Sequence, residues 1–290
     1  MSRIEDAMKR AGGTAAADAY ADLDTGSVEP EAAELVVTPP SDDERTGLFD
    51  AYLGSGEQKL VVSPQAPPIA REQYRRLAAT LHHVQGERNI RSVMIASALA
   101  EEGKTLTAVN LALTLSESYQ RRVLLIDADL RRPNVHTAFG IDNVHGLSDV
   151  LRAKDEQRLP LTQVSSRLCV LSAGRPNPDP MDILTSSRMV RILEEAGANF
   201  DWVIVDTPPV GILTDANLLA SMVDSALFVI AAGRTPCAVI RKAIEALGRD
   251  RILGVVLNQA DSRSIAQNDY YYRYYGSREK KGFRFRFPGR

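Results

Sequence analysis

The 290-residue chain has few cysteines and no strong charge imbalance. Its two cysteines, Cys169 and Cys237, lie far apart and have neither metal-ligand spacing nor the arrangement of a disulfide framework. Such sparse use of cysteine is typical of a protein in a reducing compartment. The formal net charge of −2 gives no global reason for binding nucleic acid. We therefore expect no nucleic-acid partner, and any basic function must be local.

The sequence also lacks a long apolar segment. No run approaches the roughly 20 apolar residues that a membrane-spanning helix needs. The first ten residues, MSRIEDAMKR, lack the hydrophobic centre of a signal peptide. These absences predict a cytoplasmic protein.

Large apolar residues are scarce from Thr14 to about Pro68, where Ala, Asp, Glu, Ser and Pro dominate. A segment of this composition does not bury enough surface to offset the entropy lost on ordering. We predict that residues 1–68 form a mostly disordered leader. Apolar residues recur at helical spacing in its first eleven positions, which is compatible with a short amphipathic helix or with a frayed terminus.

Strand and helix patterns alternate beyond the leader. Short, continuously apolar runs predict buried strands at 92–98, 122–129, 168–174, 202–208, 225–233 and 252–260. Helical patterns occur at 70–84, 104–118, 180–197, 214–222 and 236–248. This alternation predicts an α/β domain over residues 69–266, with a mostly parallel sheet covered by helices on both faces. Ligands of such sheets bind beyond the carboxyl ends of the strands.

A phosphate-binding loop follows the first predicted strand. Residues 98–105 match the pattern G-x-x-x-x-G-K-[ST], except that Ala98 replaces the first glycine. Backbone N–H groups of such a loop face phosphate oxygens, while Lys104 would reach the β and γ phosphates and Thr105 would ligate Mg²⁺. An ordinary strand–turn–helix with a chance GKT is the alternative. The predicted nucleotide contacts of the loop are Ala100, Glu101, Glu102, Gly103, Lys104, Thr105 and Leu106.

Aspartates end two of the predicted strands. Asp127 and Asp129 follow VLLI, and Asp206 follows WVIV. A carboxylate after four apolar residues is costly to bury unless it meets a cation, here the Mg²⁺ carried by a nucleotide. One such aspartate could instead cap the following helix. Two such sites beside a phosphate loop predict a metal and catalytic cluster.

A tyrosine cluster lies near the end of the chain, within residues 267–290, which we predict to be a flexible tail. Five of the nine tyrosines fall within six positions, and the segment REKKGFRFRFPGR follows them. A low-complexity tail is one interpretation, and a basic, aromatic stretch lying on an anionic membrane or nucleic acid is another. The clustered tyrosines are Tyr270, Tyr271, Tyr272, Tyr274 and Tyr275.

Taken together, these motifs resemble those of the bacterial tyrosine autokinases of capsule and exopolysaccharide systems, the CpsD/CapB-type or BY-kinases. The resemblance covers about residues 69–276 and implies a P-loop NTPase-like fold of the MinD/SIMIBI type. It implies a non-specific protein-tyrosine kinase in which Lys104 and Thr105 bind ATP and Mg²⁺ and Asp206 holds the metal through its hydration shell. Asp127 would be metal-linked and act as the base toward the phenol, with Asp129 assisting.

The same resemblance implies acceptors and partners. The tail tyrosines would be phosphorylated by a neighbouring subunit, and the kinase would regulate polysaccharide polymerisation or export. A membrane-anchored activator, or polysaccharide co-polymerase, would recruit it to the inner face of the cell membrane. Asn258, at the end of the last strand, resembles a residue that contacts the purine, although a cap or turn asparagine is the alternative.

The sequence departs from the family at two places. Ala100 and Glu101 stand where the family usually has Pro-Gly. In the E-x-x-R-x-x-R pattern that the family uses for ring assembly, Glu72 and Arg75 fit, but Ala78 replaces the last arginine and Arg76 lies nearby. Glu72, Arg75 and Arg76 are therefore the predicted contacts of a homo-oligomer.

Two other functions remain open from the sequence. A MinD/ParA-like ATPase switch would share the fold, but its second lysine early in the phosphate loop is Leu99 here. A nucleotide-binding regulatory partner with little kinase activity is the other alternative, suggested by Glu101.

Overall fold

A computed structural model of the chain describes residues 60–63, 65–153, 155, 158–211 and 215–260. The predicted leader helix, most of the leader, the tyrosine cluster and the basic tail lie outside these residues. Within the described part of the chain, no helix is both long enough and apolar enough to cross a membrane.

Helices and strands alternate along the described residues. The helices are α1 (Pro68–Arg88), α2 (Lys104–Glu117), α3 (Val135–Phe139), α4 (Leu147–Arg152), α5 (Met181–Leu184), α6 (Ser187–Asn199), α7 (Asp215–Ala220) and α8 (Cys237–Leu247). The strands are β1 (Ser92–Ser97), β2 (Val123–Asp127), β3 (Leu161–Ser165), β4 (Leu168–Leu171), β5 (Trp202–Asp206), β6 (Ser225–Ala231) and β7 (Ile252–Asn258).

The seven strands form one sheet in the order β3-β4-β2-β5-β1-β6-β7. Every neighbouring pair is parallel except β3 and β4, which are antiparallel. The predicted mostly parallel sheet is therefore confirmed. The phosphate loop follows β1, and the two aspartate motifs follow β2 and β5, so all three lie at the carboxyl edge of adjacent central strands.

Apolar layers cover both faces of the sheet, because alternate residues of each strand point to opposite sides. On β1, Met94 and Ala96 pack with α4 to α8, whereas Val93 and Ile95 pack with α1 to α3. This arrangement confirms the prediction of helices on both faces. Trp202, the only tryptophan of the chain, is fully buried in the second layer.

The packed part of the chain begins before the predicted boundary between residues 68 and 69. Leu60, Val61 and Ala66 are buried. The Arg71 guanidinium on α1 donates to the carbonyls of Val61 and Ser63, at 3.1 and 2.6 Å. The described residues at the end of the predicted leader are therefore packed against α1.

The helix predicted over 180–197 is in fact two helices, α5 and α6. The break occurs at Ser186, whose hydroxyl oxygen accepts a hydrogen bond from the backbone N–H of Met189 and so caps α6. A serine at this position favours a helix start, because it satisfies one of the first unpaired N–H groups.

Candidate nucleotide and catalytic site

The phosphate loop joins β1 to α2 and contains two residues with positive φ. Gly103 has φ of 88°, and a Cβ atom at this position would clash with the side-chain amide of Asn258. Glu101 has φ of 63°. A non-glycine residue in the left-handed region costs of the order of 1–2 kcal/mol. Glu101 therefore holds this left-handed turn at a cost in backbone strain.

Two side chains at the end of β7 brace this loop. The Gln259 Nε2 amide donates to the Glu101 carbonyl at 3.0 Å, and Asn258 Nδ2 donates to the Glu102 carbonyl at 2.9 Å. Arg234 in turn donates to Gln259 Oε1 at 2.8 Å. Asn258 thus borders the nucleotide cleft as predicted for a purine contact, but its amide binds the loop backbone. Contact with a purine stays a prediction.

Glu102 fixes the other side of the loop with its carboxylate. Oε2 accepts the backbone N–H of Leu99 at 2.7 Å, and Oε1 accepts from Ala231 N at 3.3 Å and from the hydroxyl of Thr235. Glu102 is buried. Its side chain therefore holds the loop to the end of β6, and a contact of its backbone N–H with the nucleotide stays a prediction.

Asp206 brings the key lysine and threonine of the loop together. Lys104 Nζ lies 2.9 Å from Asp206 Oδ1, and Thr105 Oγ1 donates to Asp206 Oδ2 at 2.6 Å. Burial alone would lower the pKa of Lys104, but the adjacent Asp206 and Asp129 carboxylates more than offset this, and the pKa is raised. Lys104 is therefore a buried, charged ammonium at the carboxyl edge of the sheet.

Asp127 is opposite Asp206 in the register of β2 and β5 and is fully buried. Its oxygens accept backbone N–H bonds from Asp129 at 3.2 Å, from Asn134 at 3.1 Å and from Val135 at 3.0 Å. Burial, reinforced by the charge of Asp206, raises the pKa of Asp127 to about 8. These contacts position the turn that follows β2.

Asp129 lies at the surface of the cleft, unlike Asp127. Its Oδ2 is 3.7 Å from Lys104 Nζ, and its Oδ1 accepts the backbone N–H of Arg132 at 3.1 Å. Burial raises the pKa of Asp129, although the neighbouring Lys104 ammonium partly offsets this. Of the two aspartates of this motif, Asp129 is the one that borders the open volume.

The cleft beside these residues has a volume of about 1010 Å³. The phosphate loop forms one wall, and the residues after β2 form another. Its lining includes Thr105, Leu106, Asp129, Arg131, Arg132 and Asn258. A volume of this size is large enough for a nucleotide-sized ligand.

Arg131 ties together two loops at the border of the cleft. Its Nε donates to Oδ2 of the buried Asp215 at 2.7 Å, and its Nη1 donates to the carbonyl of Pro178. Sequence reasoning missed Asp215, Thr235 and Gln259. The sequence signals for two of them are the run TDA, which contains Asp215 and follows the Asp206 motif, and the polar pair Asn258-Gln259 at the end of β7.

The donor set fits a nucleotide with Mg²⁺. Oxygen ligands are those that Mg²⁺ prefers, and Mg²⁺ is usually held by one or two carboxylates together with substrate phosphates and waters. Thr105 and Asp206 offer such oxygens at the amino end of the 14-residue helix α2, where anions are favoured, and Asp127 lies opposite Asp206 in the sheet. Among the described residues, no cluster of three or more His, Cys, Asp or Glu forms a metal site by itself.

The predicted oligomer contacts lie on α1 rather than in the cleft. Glu72 and Arg76 form an ion pair at 3.5 Å, and the carbonyl of Arg75 accepts the Tyr119 hydroxyl at 3.0 Å. Ala78, in place of the family's last arginine, is fully buried. A charged arginine side chain at position 78 could not stay buried as Ala78 does. It would have to extend out of the interface between α1 and the rest of the domain.

Comparisons with known proteins agree with this site. Residues 93–280 match the family model of the CobQ/CobB/MinD/ParA nucleotide-binding domain. The tyrosine-protein kinase YwqD of Bacillus subtilis is 36% identical over 230 residues, which cover 78% of this chain and 95% of that protein. Etk of Escherichia coli, also a tyrosine-protein kinase, is 34% identical over 239 residues, 79% of this chain but 33% of its own length.

Comparison with solved structures also finds tyrosine kinase domains. The kinase domain of Escherichia coli tyrosine kinase ETK superposes with a TM-score of 0.60 at 32% identity, covering 66% of this chain and 77% of that one. The chimerical protein CapA2B2 gives a TM-score of 0.64 at 28% identity, covering 70% and 90%. The fold is that of a CobQ/CobB/MinD/ParA-type nucleotide-binding domain. Within that class, the chain belongs to the bacterial tyrosine-protein kinases.

Proposed function

We propose that the protein transfers the γ-phosphoryl group of ATP to tyrosine side chains, in a reaction that requires Mg²⁺. The observation that carries the proposal is the convergence of Lys104, Thr105 and Asp129 at one cleft, with the buried Asp206 bonded to both Lys104 and Thr105. Phosphoryl transfer needs positioning and charge stabilisation rather than covalent chemistry by the protein. A buried ammonium beside oxygen ligands supplies both.

Different groups of the phosphate loop would bind different parts of ATP. The backbone N–H groups of residues 100–106 and the amino end of α2 bind phosphate oxygens, and Lys104 neutralises the β and γ phosphates. Thr105 and Asp206 would hold Mg²⁺, with Asp127 linked to it. Mg²⁺, when bound there, would supply positive charge that stabilises the negative charge developing during phosphoryl transfer.

Accessibility supports Asp129, rather than Asp127, as the base toward the acceptor phenol, which reverses the expectation from sequence. A phenol has a pKa near 10 and must lose its proton to attack phosphorus. Asp129 borders the cleft, whereas the oxygens of Asp127 are fully buried and bonded to backbone N–H groups. Asp129 would accept the proton, and Asp127 would position the turn and the metal.

The proposed acceptors are Tyr270, Tyr271, Tyr272, Tyr274 and Tyr275 of another subunit, all outside the described residues. Each phosphate would add roughly −1.5 to −2 charge before a basic segment. We further propose a homo-oligomer with contacts at Glu72, Arg75 and Arg76, and a membrane-anchored activator that recruits the kinase to the inner face of the membrane. The output would be control of polysaccharide polymerisation or export, as the resemblance implies.

Incubation of the purified chain with Mg²⁺ and ATP, followed by phosphotyrosine detection, tests this function. We expect a signal that is lost in Lys104→Met and in a deletion of residues 270–275. A parallel reaction should contain a fragment of the proposed activator, so that a kinase that is active only with its partner is also detected. Hydrolysis of ATP without phosphotyrosine, with and without the fragment, would instead identify a MinD/ParA-like switch. Binding without either reaction would identify a regulatory partner.

The role of Asp129 has a separate test. Asp129→Asn should lower the rate of phosphotyrosine formation by roughly 10²- to 10⁴-fold, the usual contribution of a general base, while ATP affinity changes little. Asp250→Asn, an exposed aspartate after α8, is the matched control and should leave the rate unchanged. An unchanged rate in Asp129→Asn would refute its role as base.

A further inference from the structure

Among the described strands, β7 is an edge strand that lacks the charged residues and prolines that usually protect an edge. Among the described residues, it pairs with β6 on one side only; the pairing shifts register once, between Ile252 and Gly254, and is regular from Gly254 to Asn258. Its sequence, ILGVVLN, contains no charged residue and no proline. Edge strands with free N–H and C=O groups normally carry charges, bulges or prolines that block pairing with another chain. A long, uncharged edge therefore calls for a strand or other element that covers it.

The apolar side chains of β7 are also exposed. Val255 and Leu257 are 50% and 66% exposed, and they are aligned in register with Phe228 and Ile230 of β6. Since they are two positions apart, both point to one face of the sheet. The apolar layer on that face therefore continues from β6 onto β7, where its last side chains, Val255 and Leu257, are exposed.

The opposite edge shows how this sheet protects a border. Strand β3 is only five residues long, carries Thr162, Gln163 and Ser165, and has an irregularity in its pairing between Gln163 and Ser165. Short, polar and bulged edges resist further strand addition. Strand β7 shares a pairing irregularity, near its start, but it is seven residues long and carries no polar side chain before Asn258 at its end.

The chain itself contains a segment that matches this edge. Residues 282–289 read GFRFRFPG, with Phe283, Phe285 and Phe287 at period two and arginines between them. Alternation of this kind, bounded by glycine and proline, is the pattern of a short strand with one apolar face. Neither the phosphate-loop chemistry nor the tyrosine acceptors account for it.

Chain length allows this segment to return to the strand it follows. Residues 261–282 lie between the end of the described chain and Phe283, and an extended chain covers roughly 3.3 Å per residue. A seven-residue strand is only about 23 Å long. The intervening residues, which include the tyrosine cluster, are therefore more than long enough to loop back.

We propose that residues 283–287 of the same chain add to the free edge of β7 as an eighth strand. Main-chain hydrogen bonds to β7 would provide the pairing, and the phenylalanines would extend the apolar face beside Val255 and Leu257. The tyrosine cluster then lies in a loop that is held at both ends. That loop leaves β7 at the carboxyl edge of the sheet, the edge that carries the nucleotide cleft.

Hydrogen–deuterium exchange of the full-length protein, without nucleotide, tests the proposal independently of kinase activity. We expect the backbone amides of 283–287 to exchange on the order of tenfold more slowly than in an unstructured chain. Val255→Lys, which places a charge on the edge, should remove this protection. Val144→Lys is the matched control, because Val144 is also 50% exposed but lies in the loop between α3 and α4.

Further exchange measurements identify which segment or partner binds the edge of β7. Deletion of residues 283–290 should accelerate exchange in β7 to the level seen in Val255→Lys. Protection that rises with protein concentration would assign the edge to a second copy, and protection that needs phosphatidylserine vesicles would assign the segment to a membrane. Either result, or unprotected amides at 283–287 in the unmodified protein, would overturn the proposal.

Discussion

The Thr105 hydroxyl donates a hydrogen bond of 2.6 Å to Oδ2 of Asp206, from the first turn of α2 to the last residue of β5. The other oxygen of the same carboxylate lies 2.9 Å from Lys104 Nζ. One buried carboxylate therefore orients both side chains that the phosphate-loop motif assigns to phosphate and metal. The site is organised before any ligand arrives, which lowers the cost of binding.

Replacement of Asp206 by Asn should weaken the Mg²⁺ dependence of nucleotide binding. The amide keeps one acceptor oxygen but removes the charge, and loss of a group that orients metal ligands typically costs 10- to 100-fold in metal affinity. Calorimetric titration with ATP at several Mg²⁺ concentrations measures the change.

The matched control for this experiment is Asp224→Asn. Asp224 Oδ2 accepts the backbone N–H groups of Arg91 and Ser92, each at 2.8 Å, at the amino end of β1 and far from the phosphate loop along that strand. This variant should lower the melting temperature and keep the Mg²⁺ dependence. Equal Mg²⁺ dependence in Asp206→Asn and the unmodified protein would argue against a metal role for Asp206.

The buried Asp127 carboxyl should make stability fall with rising pH. Its pKa is about 8 in the folded protein, against about 3.9 for an exposed aspartate, so the folded state retains a proton that the unfolded state has lost between these values. The stabilising contribution is complete below about pH 4 and is lost as the pH rises through 8, by up to about 1.4 kcal/mol per pH unit.

Asp127→Asn removes this titration. Relative to the unmodified protein, the free energy of unfolding of the variant should therefore rise between pH 5 and pH 8, without nucleotide or Mg²⁺. Urea unfolding at both pH values measures it, and equal m-values confirm that the same transition is followed. If the free energies of unfolding of the two proteins differ by the same amount at pH 5 and at pH 8, the prediction that folded Asp127 retains a proton is wrong.

Glycine in place of Glu101 should relieve strain in the phosphate loop. Because Glu101 has φ of 63°, Glu101→Gly should raise the free energy of unfolding by about 1 kcal/mol. In the unmodified protein, Gln259→Ala should weaken ATP binding, because it removes the hydrogen bond that stabilises the strained turn at Glu101. In the Glu101→Gly background the loss should be smaller, because glycine adopts a positive φ without strain. The expected coupling in this double-mutant cycle is about 1 kcal/mol.

Asn89→Gly is the control for this cycle, since Asn89 also has positive φ but follows α1, away from the cleft. It should leave ATP affinity unchanged. Additive effects of Glu101→Gly and Gln259→Ala would mean that Gln259 does not act through Glu101.

The clamp formed by Glu102, that is, the hydrogen bonds that its carboxylate accepts, should stabilise the phosphate loop more than any other single side chain. Glu102→Ala leaves the Leu99 and Ala231 N–H groups without their acceptor and should cost about 3 kcal/mol of unfolding free energy. Thr235→Val removes one bond and should cost about 1 kcal/mol. Urea titration measures both, with the exposed Glu194→Ala as a control expected within about 0.5 kcal/mol of the unmodified protein. Comparable stability of Glu102→Ala and Glu194→Ala would disprove the clamp.

Most of the fold could be predicted because the central strands are buried on both faces and read as continuous apolar runs. All six predicted strands are present. Strand β3 was missed because an edge strand is half-exposed, and LTQVS lacks such a run. The helices α3 and α4, with five and six residues, are too short to show a helical period.

The site was only partly predictable, for a different reason. Lys104, Thr105 and the strand-end aspartates are adjacent to recognisable motifs, and topology brings such motifs to one edge. The partners of Glu102 and Glu101, by contrast, are Thr235 and Gln259, which are more than 130 residues away in sequence. Contacts of this kind depend on the register of β6 and β7, which no local pattern contains.

The burial of Trp202 gives the protein an intrinsic optical probe. The single indole lies within the core on β5, the strand that ends in Asp206. Its fluorescence will report the polarity at one known point, so a red shift of emission marks exposure of that strand to water. Unfolding experiments on every variant discussed above can thus be followed without a label.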